Sequence, residues 1–166
     1  MDQKTIQNAE RTTFQTCMIS NVQESHGLYE QLKRWDLEVV KRYVVEKEIF
    51  PHDLIEQAVD EYRKFLAISL AHPDRDVPIS EQVDKFWHAH ILFTENYTDM
   101  GEEIVGAYIH HRPAILDNIE GLEKSFGGDT MRLYHDCFGN SDTFFWSSAC
   151  CKRCTCHCKS GKVVIR

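Results

Sequence analysis

The sequence predicts an all-α protein, a small bundle of about five helices followed by an irregular, cysteine-rich C-terminal tail. Apolar residues recur at spacings of three and four through most of the chain, the mark of helices with one buried face. No strand-like alternation competes with that pattern before the tail. At 166 residues and 42% hydrophobic content, the chain can build one domain with a core but is short for two.

Residues 1–24 are polar and weakly periodic and read as a loose arm packing locally around Phe14 and Ile19. The helical domain is expected over residues 25–146. From Leu28, the positions Leu32, Trp35, Val39, Tyr43 and Val44 form one stripe, predicting a single helix to about Phe50. Pro51 breaks it and suits the first turn of a second helix. That helix carries Leu54, Ala58, Tyr62, Phe65, Leu66 and Leu70 inward, with Glu56, Asp60, Glu61, Arg63 and Lys64 largely opposite.

The segment AHPDRDVP is a loop, and Ser80 is a good N-cap for a third helix, with Glu81 and Asp84 complementing the helix dipole in its first turns. This helix is expected to reach about Thr98. Gly101 then interrupts, and a short fourth helix runs from Glu102 to His111, ended by Arg112-Pro113. A further helix is read at about Ile115 to Ser125. Gly127-Gly128 opens a turn, and TMRLYHDCFG is a last helix capped by Gly139.

The formal charge of −7 argues against general nucleic-acid or anionic-membrane binding, which needs a basic surface. No apolar run approaches the roughly 18 residues of a membrane span, and the first twenty residues hold no apolar signal core. A cytoplasmic protein is expected, with an unknown protein partner as its macromolecular contact. Five of the seven cysteines lie at or after Cys150, too clustered to staple a fold, so metal or redox work is indicated.

Four of the nine histidines fall in two tight pairs, His88 with His90 and His110 with His111. A helix turns about 100° per residue, so His88 and His90 point about 200° apart and cannot chelate one ion. With Trp87 at the centre of the buried stripe, His90 lies beside Phe86 on one shoulder and Asp84 and His88 share the other. An aspartate one turn before a histidine either ligates the same metal or fixes the imidazole tautomer. A third ligand must come from elsewhere. His110 and His111 are the candidates, with His111 expected on the buried face that follows Ile104 and Tyr108. Nearest ring nitrogens more than about 5 Å apart would be too distant for two ligands of one zinc ion. The alternative is structural: histidines that cap a helix or satisfy a core hydrogen bond.

The run VDKFWHAHIL, then Tyr97, Gly106 and HHRP, then TMRLYHDCFG and a Trp before a cysteine-rich end, resembles the glycine-rich domain-containing protein-like family in its short bacterial form. The resemblance spans roughly residues 28–146 and implies an all-helical domain. It puts Asp84, Trp87, His88 and His90, with His110 and His111, at the family's characteristic positions. It also implies a cysteine a few residues after Tyr97, where this chain has Met100, and interleaved glycine and cysteine where this chain has CCKRCTCHC.

That tail, residues 147–166, packs Cys150, Cys151, Cys154, Cys156 and Cys158 around His157. C-x-x-C converges two thiolates on one tetrahedral ion, and C-x-C does so in extended chain. Lys152, Arg153 and Lys159 favour the thiolate form, so soft Zn(II) or Cu(I) binding follows. Three functions compete. The first is a metal-binding helical domain with a His/Asp pocket and a separate thiolate tail, serving metal handling or interaction. The second is a metal-dependent enzyme with an open ion held by His88 and His111. The third is an interaction protein whose histidines are structural.

Overall fold

The computed structural model describes residues 20–75, 77–113, 126–147 and 158–159. Within them the chain is helical. Residues 20–34 form α1, followed by α2 (Glu38–Glu46), a 3-10 turn (His52–Leu54), α3 (Ile55–Ala71), α4 (Glu81–Ile91) and α5 (Thr94–Val105). After a two-residue strand β1 (Arg112–Pro113) come a π-turn (Phe126–Thr130), α6 (Met131–Phe138) and α7 (Thr143–Trp146). β2 (Cys158–Lys159) pairs antiparallel with β1. Among the described residues no helix is long and apolar enough to cross a membrane.

α3 is the central helix. Every residue from Phe65 to Ala71 is buried, so its second half is enclosed on all sides. Tyr62, Phe65, Leu66 and Ile68 meet Phe86 and Trp87 of α4, Leu133 and Tyr134 of α6, and Phe145 of α7 in one core. The periodicity located this helix well but misjudged Glu61. Its carboxylate is buried, accepting hydrogen bonds from Tyr134 Oη and Trp146 Nε1, each at 2.7 Å, and pairing with Lys64 at 3.1 Å. Those donors come from α6 and α7, which a solvent-facing glutamate could not have anticipated.

Two helix breaks depart from the expected boundaries. The stripe from Leu28 to Phe50 is two helices, because the chain turns at Trp35–Leu37 and the Asp36 carboxylate accepts from Glu38 N–H at 2.8 Å to start α2. α2 ends in a Schellman closure: Ile49 N–H returns to the Val44 carbonyl and Glu48 N–H to that of Val45, with Glu48 left-handed at φ 51°. The helix at the chain start also begins earlier than expected, by residue 20.

Ser80 caps α4 as predicted, its Oγ accepting from Val83 N–H at 3.1 Å. The helix stops at Ile91, short of Thr98, and turns a corner at Leu92–Phe93 into α5. Gly101, expected to interrupt, lies inside α5, and no helix runs from Glu102 to His111. Gly106 ends α5 in the left-handed conformation at φ 70°, and the chain continues extended through His110 and His111. The helix from Met131 and its glycine end at Gly139 agree with expectation. α7 was not anticipated, and the helix expected at 115–125 lies outside the described residues.

Candidate metal centre

The extended passage after α5 decides which histidines meet. In extended chain alternate residues face opposite ways, so Ala107 and Ile109 are buried while Tyr108 and His110 are exposed. His111, in phase with the buried pair, points inward with only 9% of its side chain exposed. The expected helical face through Ile104 and Tyr108 does not exist, since Tyr108 is a surface residue. His110 packs against the Tyr108 ring at 5.0 Å and lies away from the other candidate ligands.

His111 reaches α4. Its Nε2 stands 3.0 Å from Asp84 Oδ1, and His88 Nδ1 stands 3.4 Å from Asp84 Oδ2. The two rings lie 4.6 Å apart between centroids. One ligand atom from each of Asp84, His88 and His111 lies within 4.8 Å of the others. Ligands at about 2.1 Å from one ion are roughly 3.0 to 3.4 Å apart in octahedral or tetrahedral geometry, which the two carboxylate contacts already match. Asp84 has no exposed surface, and a carboxylate taken from water needs cationic or donor groups around it. His88 remains 36% exposed, so solvent reaches one side of the cluster.

A wall of aromatic side chains fixes His111. Trp87 meets the His111 ring edge-on at 4.4 Å. Its Nε1 donates to Tyr97 Oη at 2.8 Å, and Tyr97 Oη donates to the Ile109 carbonyl at 2.7 Å. Burial pushes the Tyr97 hydroxyl above its usual range, keeping it a donor. Behind this relay, Gly101 lets the returning chain approach α5 closely: a Cβ there would stand 2.6 Å from the Ala107 carbonyl oxygen. Tyr97 was legible as part of the motif, but its contact with Trp87 was not. Ten residues of unbroken helix would separate them by about 15 Å, and the corner at Leu92–Phe93 closes that gap.

His90, a candidate ligand on sequence grounds, lies outside this group. Its Nε2 faces Asn96 Oδ1 at 2.8 Å and its Nδ1 faces Tyr62 Oη at 2.9 Å. Asn96 Oδ1 also accepts from Trp35 Nε1 at 3.0 Å, so it is an acceptor, the proton sits on His90 Nε2, and Nδ1 accepts from Tyr62. Burial lowers the His90 pKa to about 4, against the weaker opposing effect of Asn96. A neutral imidazole with both nitrogens occupied joins α3, α4 and α5, and Asn96 carries the link on to Trp35 in the turn after α1. Asn96 carries no periodic signal in the sequence and was missed.

Cys150, Cys151, Cys154 and Cys156 lie outside the described residues. Only the backbone of Cys158 is placed, opposite Pro113 in the β1–β2 ladder. Met100, standing where the resemblance implied a cysteine, is a core residue with 1% exposure.

No curated protein and no solved structure matches this chain. A family model described as UCP032817-like matches residues 9–126, well over half of the chain and including Asp84, His88 and His111. The chain therefore belongs to the UCP032817-like family.

Proposed function

We propose that this protein is a metal-binding helical domain in which Asp84, His88 and His111 hold one divalent ion, Zn(II) being the best match to a ligand set of two imidazoles and one carboxylate. The observation that carries this reading is the convergence of three ligand atoms within 4.8 Å from two elements that the fold brings together. Asp84 meets the two imidazoles through different oxygens, at 3.0 and 3.4 Å, spacings that ligands of one ion also adopt. The resemblance of this stretch to the glycine-rich domain-containing protein-like family belongs to the same proposal, as do metal handling or a protein interaction as its use. The tail thiols remain candidates for Zn(II) or Cu(I).

A metal-dependent enzyme is the second reading, favoured by one observation. The 36% exposure of His88 leaves the ion a solvent-facing position where a bound water would be acidified.

Zinc titration of the reduced full-length protein, followed calorimetrically, tests the proposal. One equivalent is expected to bind, with that event lost in Asp84→Ala, His88→Ala and His111→Ala and kept in His110→Ala. Binding that all three variants retain would reassign the ion to the tail. No binding at all would leave Asp84 as a structural acceptor for two histidines.

A further inference from the structure

We propose that the cleft between α2 and the start of α3 is a docking groove for a basic peptide segment, one that seats an apolar side chain between flanking lysines or arginines. α2 buries Val40 and Val44 in the core. Along its flank Glu38, Lys41, Arg42, Val45 and Glu46 recur at helical spacing and line one cleft of about 330 Å³. His52, Ile55 and Glu56 form the opposite wall. The floor is apolar: Ile55 is buried, and Val45 keeps 41% of its surface exposed. The chain reversal after α2 extends that floor, because Val45, His52 and Ile55 also wall a second cleft of about 350 Å³ with Phe50 and Pro51. Phe50 packs on Phe145 at 5.9 Å, and Phe145 on Phe144 at 5.0 Å, whose ring is 43% exposed. Val45 and Phe144 thus stand at the two ends of one apolar run. Exposed apolar surface rimmed by charged groups marks an interaction site.

Charge selects the occupant. Glu38, Glu46, Glu48 and Glu56 border the two clefts, against Lys41 and Arg42. Lys41 is already engaged, its Nζ bridging Glu38 at 2.9 Å and Glu56 at 2.7 Å. Glu46 meets Lys47 at 3.3 Å, but both side chains are more than half exposed, so that pair is loosely held. The rim keeps a surplus of negative charge, which a lysine or arginine on the partner complements. A second copy of this chain is a poor fit, since a two-fold pairing would set the acidic rim against itself and each copy has a formal charge of −7. An anionic lipid surface is repelled for the same reason. Two adjoining clefts followed by Phe144 suit a segment of chain better than a compact ligand, with the first cleft at the small end of the range that holds an apolar anchor.

A random peptide library displayed on phage and selected on the immobilised, reduced full-length protein tests the groove. Enriched peptides are expected to carry a bulky apolar residue flanked by lysine or arginine. One of them, synthesised with a fluorophore, is titrated by anisotropy against the parent, Val45→Lys and the double variant Glu46→Gln/Glu48→Asn. Both variants are expected to bind at least about tenfold more weakly, and added salt is expected to weaken binding to the parent. Lysine at the exposed position 45 suits a helix C-terminus, and asparagine suits the left-handed backbone of Glu48 at φ 51°, so circular dichroism is expected to be unchanged. The double variant leaves the apolar floor intact and decides the question by itself if Val45→Lys unfolds. No enrichment, an acidic or wholly apolar consensus, or a basic peptide that binds either folded variant as tightly as the parent overturns the assignment. So does dimerisation in analytical ultracentrifugation that Val45→Lys abolishes, which would give the groove to a second copy.

Discussion

Asp84 has no exposed surface and meets His88 and His111 through separate oxygens. Half of this cluster was readable before any coordinates, since helical geometry pairs position 84 with 88 and turns 90 away. The other half was legible only as a choice between His110 and His111 on an expected helix, because both follow the end of α5 at Val105, in a segment whose alternating burial no helical reading could reveal. Asp84→Asn keeps the shape and removes the charge, and it is expected to weaken zinc binding at least about 100-fold by calorimetry. His90 does the opposite kind of work, and pH exposes it. Its folded pKa is about 4 against an ordinary 6.5, so the unfolded chain takes up the proton first as pH falls. The stabilisation is complete above about pH 6.5 and is lost between 6.5 and 4, amounting to about 3 kcal/mol at most. Urea unfolding at pH 7 and pH 4.5 is expected to show a smaller acid loss for His90→Gln than for the parent protein.

Helix interiors were legible and helix ends were not. The turns at Trp35–Leu37 and Leu92–Phe93 contain neither glycine nor proline, and only Asp36 in the first is a turn-forming residue. The first is set by the Asp36 side chain, and the second brings Asn96 to His90 and Tyr97 to Trp87. Gly101 misled in the other direction: it serves close packing inside α5, not interruption. With a Cβ it would meet the Ala107 carbonyl oxygen at 2.6 Å, backbone that cannot rotate aside. Gly101→Ala is therefore expected to cost about 1–3 kcal/mol in chemical denaturation. Because the displaced segment carries His111, zinc affinity should fall in the same variant. Unchanged affinity would mean that the passage from Ala107 to His111 is not held by α5.

The whole fold hangs on α3, whose enclosure by α4, α6 and α7 follows from a run of buried residues that the apolar stripe foreshadowed. What holds the C-terminal helices against it was hidden, because a glutamate among charged neighbours reads as surface. Glu61 collects Tyr134, Trp146 and Lys64 in the interior, and Glu61→Ala strands those donors. A loss of roughly 3 kcal/mol is expected in thermal or urea unfolding, with zinc binding by the folded fraction retained. The match to the UCP032817-like family covers residues 9–126, a span that contains the Asp84, His88 and His111 cluster and excludes the cysteine tail. The centre is tested most directly by a crystal structure of zinc-soaked protein with data on both sides of the zinc absorption edge. An anomalous peak is expected between Asp84, His88 and His111, about 2.0–2.2 Å from each ligand atom. Zinc found elsewhere, with Asp84 still hydrogen-bonded to both imidazoles, would contradict it.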